Sequence, residues 1–302
     1  MIEKLDMFIT LAREQHFGHA AQACGVSQPA LSASIKQLEE QLGVLLVLRG
    51  SRFQGLTPEG ERVLEWARRL VGDARTMQQE LETMRHGLSG HLKVAAIPTA
   101  LSYVPALTAP FVAGNPGVTV SVLSRSSSEI LSLLENLEID VGITYLDNEP
   151  VGKVTQIPLY RETYCLVTGA DTEQATGQRI TWRDVSRLPL CLLTKDMQNR
   201  RILDGILADA SADVAPTLES DSIVTLFAHV QTGLWSTIMP ESLATTFAIG
   251  TLKTIPIVDP VAGARVGLVA THREPHAPLI SAVLRQARHL AQADKLEQES
   301  HL

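Results

Sequence analysis

One apolar stripe constrains this chain more than any other feature. Thr57-Pro58 reads as a capping hydroxyl followed by proline in a first helical position. From there Val63, Ala67, Leu70, Ala74, Met77, Leu81, Met84 and Leu88 recur at alternating steps of four and three residues. Such a seam belongs to a helix that pairs along its length. A helix of about 30 residues spans roughly 45 Å, and a single stripe that long is not left in water. Its partner is either a second copy of the chain or the chain's own C-terminal part. Met and Ala on the seam suit an adjustable interface. The helix is expected to stop before Gly87, with Ser89-Gly90 as a hinge.

Upstream, Leu5, Phe8, Ile9 and Ala12 predict an amphipathic helix ending at Phe17-Gly18. Ala20, Ala21 and Cys24 mark a short second helix, and Gly25 suits a left-handed turn. Ser27 is a good cap for a third helix, and Pro29 is tolerated in its first turn. Leu31, Ile35, Leu38 and Leu42 then face inward, leaving Gln28, Pro29, Ser32, Ala33 and Lys36 outward. Two short helices around a glycine turn form a helix-turn-helix, which reads DNA through the start of its second helix. Gln28 and Ser32 suit base edges or phosphates, and Pro29 and Ala30 suit thymine methyls. Ser27, Gln28, Pro29, Ala30, Ser32 and Lys36 are thus the candidate DNA-reading set. An ordinary helical hairpin with a polar outer face fits the same spacing. Arg49 and Arg52 flank RGSRFQGLTPEG. A wing there would bring both guanidiniums to phosphates, and a solvated loop is the alternative. Charge does not decide the matter: residues 1–60 hold five basic and six acidic groups, and the chain carries a net charge of -7.

The ordered block from Phe17 to Gly60 resembles the DNA-binding domain of the LysR-type transcriptional regulators. It includes Phe17, Ala20, Ala21, the run Val26 to Ser32, Ile35, Leu38-Glu39, Leu42-Gly43-Val44, Arg49, Arg52, Leu56-Thr57 and Gly60. Val47 and Glu59 stand where that family usually has Phe and Ala, and position 19 carries His19. These departures bear on fine DNA specificity, and Val47 still suits the same core. The resemblance implies a winged helix-turn-helix over 1–58, a dimerising linker helix and hinge over 59–90, and an effector-binding domain over 91–302.

From Leu92 the texture changes. LKVAAI, GVTVSVL and IDVGIT alternate with helical stretches, and this order implies a parallel sheet. Tyr164 to Val167 opens a second α/β lobe containing PLCLL, a helix near Asn199 to Leu207, TLES, a helix from Ser222 to Gln231 and WSTIMP. Arg265 to Ala270 is a late strand, Pro278 to Ala293 the last helix, and QADKLEQESHL a polar tail. Two lobes crossed twice are similar to the family's effector domain, which resembles periplasmic binding proteins. The implied boundaries are about 91–161 with 266–302 for lobe one, and about 162–265 for lobe two. The fold class is therefore mixed, with an N-terminal winged helix-turn-helix, a long linker helix and a C-terminal two-lobed α/β domain.

Ligands of open α/β sheets bind beyond strand carboxyl ends, near helix N-termini. The residues so placed are Thr99, Ala100, Ser127, Ser128, Thr144, Thr194 and Met197, with Arg200 as a source of charge. A plain helix cap is the alternative for each hydroxyl. Hydroxyls, free N–H groups and one arginine suit a small anionic inducer. The chain resembles, more faintly, regulators of formate dehydrogenase operons, which agrees with such an effector. The implied partners are double-stranded DNA at a partly palindromic promoter site, the inducer, further copies of the chain as a dimer or tetramer, and RNA polymerase.

Other classes fit less well. A solute-binding module would not need the seam. An enzyme would be expected to show a motif such as GxSxG, HExxH, a P-loop or GxGxxG, and none stands out. Cys24, Cys165 and Cys191 show no metal spacing and read as reduced, buried thiols, so neither metal nor cofactor is expected. No apolar run reaches membrane-spanning length. Charges at Glu3, Lys4 and Asp6 interrupt any signal-peptide core, so a cytoplasmic location is expected.

Overall fold

The computed structural model describes residues 1–48, 53–147, 152–212, 214–247 and 250–300. Arg49 and Arg52 lie outside these residues. The chain divides into two compact units: Met1–Ser89 with Ser132–Glu138 and Glu274–Leu279, and Gly90–Leu131 with Ile139–Arg273 and Ile280–Leu302.

In the first unit, α1 (Ile2–Glu14), α2 (Phe17–Ala23) and α3 (Gln28–Leu42) pack on one another, and α1 packs against α4 (Pro58–His86). Leu5, Phe8, Ile9, Leu11, Ala20, Leu31, Ile35, Leu38, Leu46 and Ala67 form its core. α1 ends earlier than Phe17-Gly18. Gln15 takes a left-handed φ of 49°, and Phe17 opens α2. The cap of α2 is a histidine: His16 Nδ1 accepts from the N–H groups of Gly18 and His19 at 3.1 and 3.3 Å. Histidine is outside the usual capping set, which is why the sequence hid this boundary. Leu42, the last residue of α3, is exposed. Val47 is buried in the core and pairs with Leu56 in an antiparallel bridge, the start of a wing. Glu39 anchors that wing by accepting from Leu46 and Val47 N–H at 2.8 and 3.2 Å.

In the second unit, β1 (Ser89–Ala96), α5 (Val104–Gly114), β2 (Gly117–Ser124), α6 (Ser127–Glu135) and β3 (Val141–Tyr145) build lobe one. A 3-10 turn, Pro98–Ala100, follows β1. β1 and β3 run parallel, with Ala95 opposite Gly142. Next comes one long strand, β4 (Val154–Gly169), rather than a new strand at Tyr164. Lobe two adds β5 (Ile180–Thr181), α7 (Trp182–Val185), β6 (Cys191–Leu193), α8 (Gln198–Asp209), β7 (Leu218–Ser220), α9 (Ile223–Val230), β8 (Thr237–Pro240), α10 (Glu241–Phe247) and β9 (Leu252–Val258). β10 (Gly263–Thr271) returns to lobe one, and α11 (Pro278–Ser300) closes the described chain. The polar segment expected as a tail is mostly helix.

The main sheet has the order β2-β1-β3-β10-β4-β9-β5, with β8 also on β4, and β6 pairs with β7. It is not all parallel, because β10 runs antiparallel to both β3 and β4. β4 pairs with β10 through Thr163, with β8 from Tyr164 and with β9 from Cys165. The lobes therefore share one continuous strand, and Glu162 sits on it just before the switch of partner.

Candidate DNA-reading face and effector cleft

α3 presents the residues its spacing predicts. Leu31, Ile35 and Leu38 are buried, while Gln28, Pro29, Ala30, Ser32 and Lys36 are exposed. Ser27 serves as the cap, accepting from Ala30 N–H at 3.3 Å. Gly25 has the left-handed φ, 67°, that the turn requires. Lys36 lies 3.8 Å from Glu40, an exposed pair of little energetic weight that leaves the ammonium available.

α4 begins at Pro58 with Thr57 as its cap, accepting from Gly60 N–H at 2.9 Å. Its apolar residues divide between two faces. Leu64, Ala67 and Val71 are buried within the unit. Trp66, Leu70, Met77, Leu81 and Met84 are exposed by 51%, 43%, 57%, 49% and 81%. Of the predicted seam, Ala67 turns inward, Val63 and Ala74 are half-buried, and Leu88 lies beyond the helix end at His86. Trp66, which the seam reading missed, belongs to the outward face and stacks with Arg69, its guanidinium 5.4 Å from the ring centre.

The second unit contains a small cavity of about 10 Å³ between the lobes. Its wall is Ile97, Pro98, Thr99, Ser126, Ser127 and Tyr145 from lobe one, with Leu193, Met197, Gln198 and Asn199 from lobe two. A buried hydrogen-bond network stands behind it. Thr99 Oγ1 and Tyr145 Oη lie 3.0 Å apart, Tyr145 Oη donates to Glu162 Oε1 at 2.7 Å, and Asn199 Nδ2 donates to Tyr145 Oη at 3.0 Å. Asn199 Nδ2 also lies 3.4 Å from Glu162 Oε1. Thr99, Tyr145, Glu162 and Asn199 are all buried. Burial pushes the Glu162 carboxyl up to about 7, against the downward pull of hydrogen bonds from Tyr145, Tyr164, Asn199 and Thr99. Burial, and then the Glu162 charge, hold the Tyr145 and Tyr164 hydroxyls well above their ordinary range.

Of the predicted effector residues, Thr99, Ser127 and Met197 line this cavity. Ser127 Oγ is buried without a hydrogen-bond partner, as is Gln198 Oε1, which sequence reasoning missed. Ala100 and Thr144 are buried but stand outside the wall. Ser128 is exposed, 3.3 Å from Ser126 Oγ, and Ser126 with Glu129 forms a reciprocal helix cap. Thr194 is half-buried at the end of β6, outside the wall. The structure does not bring Arg200 to the cavity. Its guanidinium is buried against Asp204, Glu219 and the Leu193 carbonyl. No lysine, arginine or histidine is among the described lining residues.

Tyr145, Glu162 and Asn199 also escaped sequence reading. One signal existed: Tyr160, Glu162, Tyr164 and Leu166 alternate onto one face of β4, a carboxylate within an apolar, aromatic row.

Glu162 sets a pH dependence of stability. Its folded-state value, about 7, exceeds the ordinary value of 4.5, so the folded chain holds this proton where the unfolded chain has released it. Its contribution to stability therefore falls as pH rises between those values and stays low above. The loss is on the order of 3 kcal/mol. Stabilities from urea unfolding at pH 5 and pH 8 should differ by that much less in Glu162→Gln than in the parent. Equal pH dependence in the two chains would contradict the assignment.

A helix-turn-helix on a long helix, joined to a two-lobed α/β unit, is the architecture of a DNA-binding transcription regulator. Residues 2–61 match the model of the bacterial regulatory helix-turn-helix protein, lysR family, and residues 85–292 that of the LysR substrate binding domain. The chain belongs to the LysR family and is a DNA-binding transcription regulator. It is 30% identical to a probable hydrogen peroxide-inducible genes activator of Streptomyces viridosporus, over 88% of this chain and 86% of that protein. A full-length OxyR cysteine variant from Pseudomonas aeruginosa aligns with a TM-score of 0.74 at 26% identity, covering 95% of this chain and 97% of that one. Full-length CbnR, solved with its target DNA complex, shares the fold with a TM-score of 0.62 at 22% identity, covering 96% and 99%. These relatives are regulators rather than enzymes. Among the described residues, no helix is long and apolar enough to cross a membrane.

Proposed function

We propose that this chain acts in the cytoplasm as a dimer, or a tetramer built from dimers. In this reading, residues 1–58 read DNA, 59–90 pair two copies, and 91–302 respond to a small molecule held between the lobes. The observation that carries the effector reading is the closed cleft. Thr99, Ser127, Gln198 and Asn199, drawn from both lobes, put polar groups on one cavity, and two of those groups lack a protein partner. Gln28, Pro29, Ala30, Ser32 and Lys36 supply base and backbone contacts, with Arg49 and Arg52 on phosphates. The exposed row from Trp66 to Met84 supports pairing of two α4 helices, which presents two reading helices to a partly palindromic site.

Several relatives are named for induction by hydrogen peroxide, and that chemistry is poorly supported in this chain. Peroxide oxidises accessible thiolates. Burial pushes the Cys165 thiol up to about 12 and the Cys191 thiol up to about 11, and both side chains lie in the core of lobe two. Cys24, expected to be buried, is only half-buried, but it belongs to the DNA-reading unit and not to the cleft wall. The effector we propose is a small polar molecule, with a small anion such as a monocarboxylate favoured by the hydroxyls and by the helix N-termini at Ser127 and Gln198. Occupancy then shifts the regulator toward one arrangement on DNA and alters its contact with RNA polymerase, which requires the ligand to bind that arrangement better.

Thr99→Val tests the cleft. It removes a hydroxyl bonded to Tyr145 and keeps the side-chain shape, so the ligand response should fall by about tenfold or more. DNA affinity without ligand should not change. A reporter assay with cell extract as the inducer source, beside a gel-shift titration, reads both. A full response would count against the cleft.

A further inference from the structure

We propose that effector binding in this cleft is coupled to proton uptake: a small carboxylate enters together with one proton from solvent, which Glu162 holds as a neutral carboxyl. This rests on the cleft reading above. No cation is among the described lining residues, because Arg200 is committed to Asp204 and Glu219. Yet Glu162 stands one hydrogen bond behind the wall, reaching it through Tyr145 at 2.7 Å and Asn199 at 3.4 Å. An anion in the cavity and an ionised Glu162 would be two like charges in a buried site without a lining cation, which low dielectric makes costly. A proton on Glu162 removes that conflict. Binding the ligand without that proton would bury two negative charges together instead of one.

The described surroundings of Glu162 offer no other way to balance charge. From β3 it meets Tyr145, from β4 Tyr160 and Tyr164, from the 3-10 turn Thr99, and from α8 Asn199. On β10 its register partner is Ala264. Arg161 and Arg265 pair one position along the ladder, where side chains point to the opposite face, and Arg265 is held by Asp147 at 2.6 Å. Burial raises the unligated carboxyl to about 7, so it is about half protonated near neutral pH, and a nearby negative charge drives it further toward the protonated form. The Thr99 and Tyr145 hydroxyls then reverse easily, since a neutral Glu162 can donate as well as accept. Thr99 and Ser127 remain to donate to the ligand. The cavity is about the size of one water, so even formate requires it to widen, and the smallest carboxylates require least.

Titration calorimetry on the full chain with formate, acetate and benzoate as probes tests this, each at pH 6, 7 and 8 in two buffers of different ionisation enthalpy. The parent should take up close to one proton per bound carboxylate at pH 8, and affinity should fall by up to tenfold per pH unit above 7. In Glu162→Gln the pH dependence should vanish. Uptake is read on the parent chain, so the test survives a variant that folds poorly. Carboxylate binding without proton uptake, or unchanged pH dependence in Glu162→Gln, overturns the proposal. So does an absence of carboxylate binding at pH 6. If acetamide binds in that last case and Thr99→Val abolishes it, the cleft reading stands while proton coupling falls. Probe binding that ignores Thr99→Val removes the cleft reading itself.

Discussion

Gly60→Ala should cost the DNA-reading unit about 1–3 kcal/mol, and more if the backbone cannot shift. A Cβ at this position would overlap the Leu46 carbonyl oxygen and stand 2.9 Å from its carbon. Both are backbone atoms, so no rotamer relieves the clash. Leu46 also accepts from Thr57 N–H at 3.0 Å, and Thr57 Oγ1 donates to the Leu45 carbonyl at 2.6 Å. The first turn of α4 is thus stitched to the strand leading into the wing, and glycine permits that closeness. The full chain should show a lowered urea midpoint and weaker operator binding in Gly60→Ala. Effector-probe affinity in the cleft should be preserved. A midpoint and operator affinity equal to the parent's would show that α4 does not dock as described.

Charging the exposed face of α4 should have a still larger effect on DNA binding. Leu70 and Leu81 are both about half exposed in the single chain and share the outward row with Trp66, Met77 and Met84. If that row is the pairing surface, Leu70→Asp with Leu81→Asp buries two like charges in each copy and separates the dimer. A monomer presents one reading helix, so affinity for a two-half-site operator should fall by about 10²-fold or more through lost avidity. Sedimentation velocity should show the parent's larger species converted to a monomer. The fold is expected to survive, because neither side chain reaches the unit's core. An unchanged oligomer with unchanged affinity would place pairing elsewhere.

The sequence read best where one physical requirement dominates. The α3 stripe, Ser27 cap and Gly25 turn obey helix rules that need no distant partner, and they appear as spacing predicts. The long helix was legible as to existence and start, but part of its seam faces the wrong way. Ala67 and Trp66 are neighbours in sequence, one buried and one exposed, and hydrophobicity alone cannot tell a face buried in the chain's own core from one kept for a second copy. The α/β texture was legible as a set of strands. The antiparallel return of β10 was not, because a late strand carries no mark of its direction.

The cleft was the least legible part. Strand-end hydroxyls located it, and Thr99 and Ser127 do line it. Arg200 looked like available charge, yet its ion partners Asp204 and Glu219 come from one helical turn on and from β7. Glu162, the buried carboxylate behind the cavity wall, lay in a strand segment read only for its aromatic and apolar neighbours. Burial gave it its character, and burial depends on tertiary packing.

DNA footprinting upstream of the chain's own gene, with parent and Gln28→Ala side by side, tests the central claim most directly. The parent should protect two half-sites spaced by whole turns of the duplex, with an affinity that falls steeply as salt rises. Gln28→Ala should protect the same region with its preference over unrelated DNA reduced by about tenfold, the loss of one base contact. No protected sequence and no salt-dependent DNA affinity in the parent would contradict the reading of α3 as the DNA-reading helix.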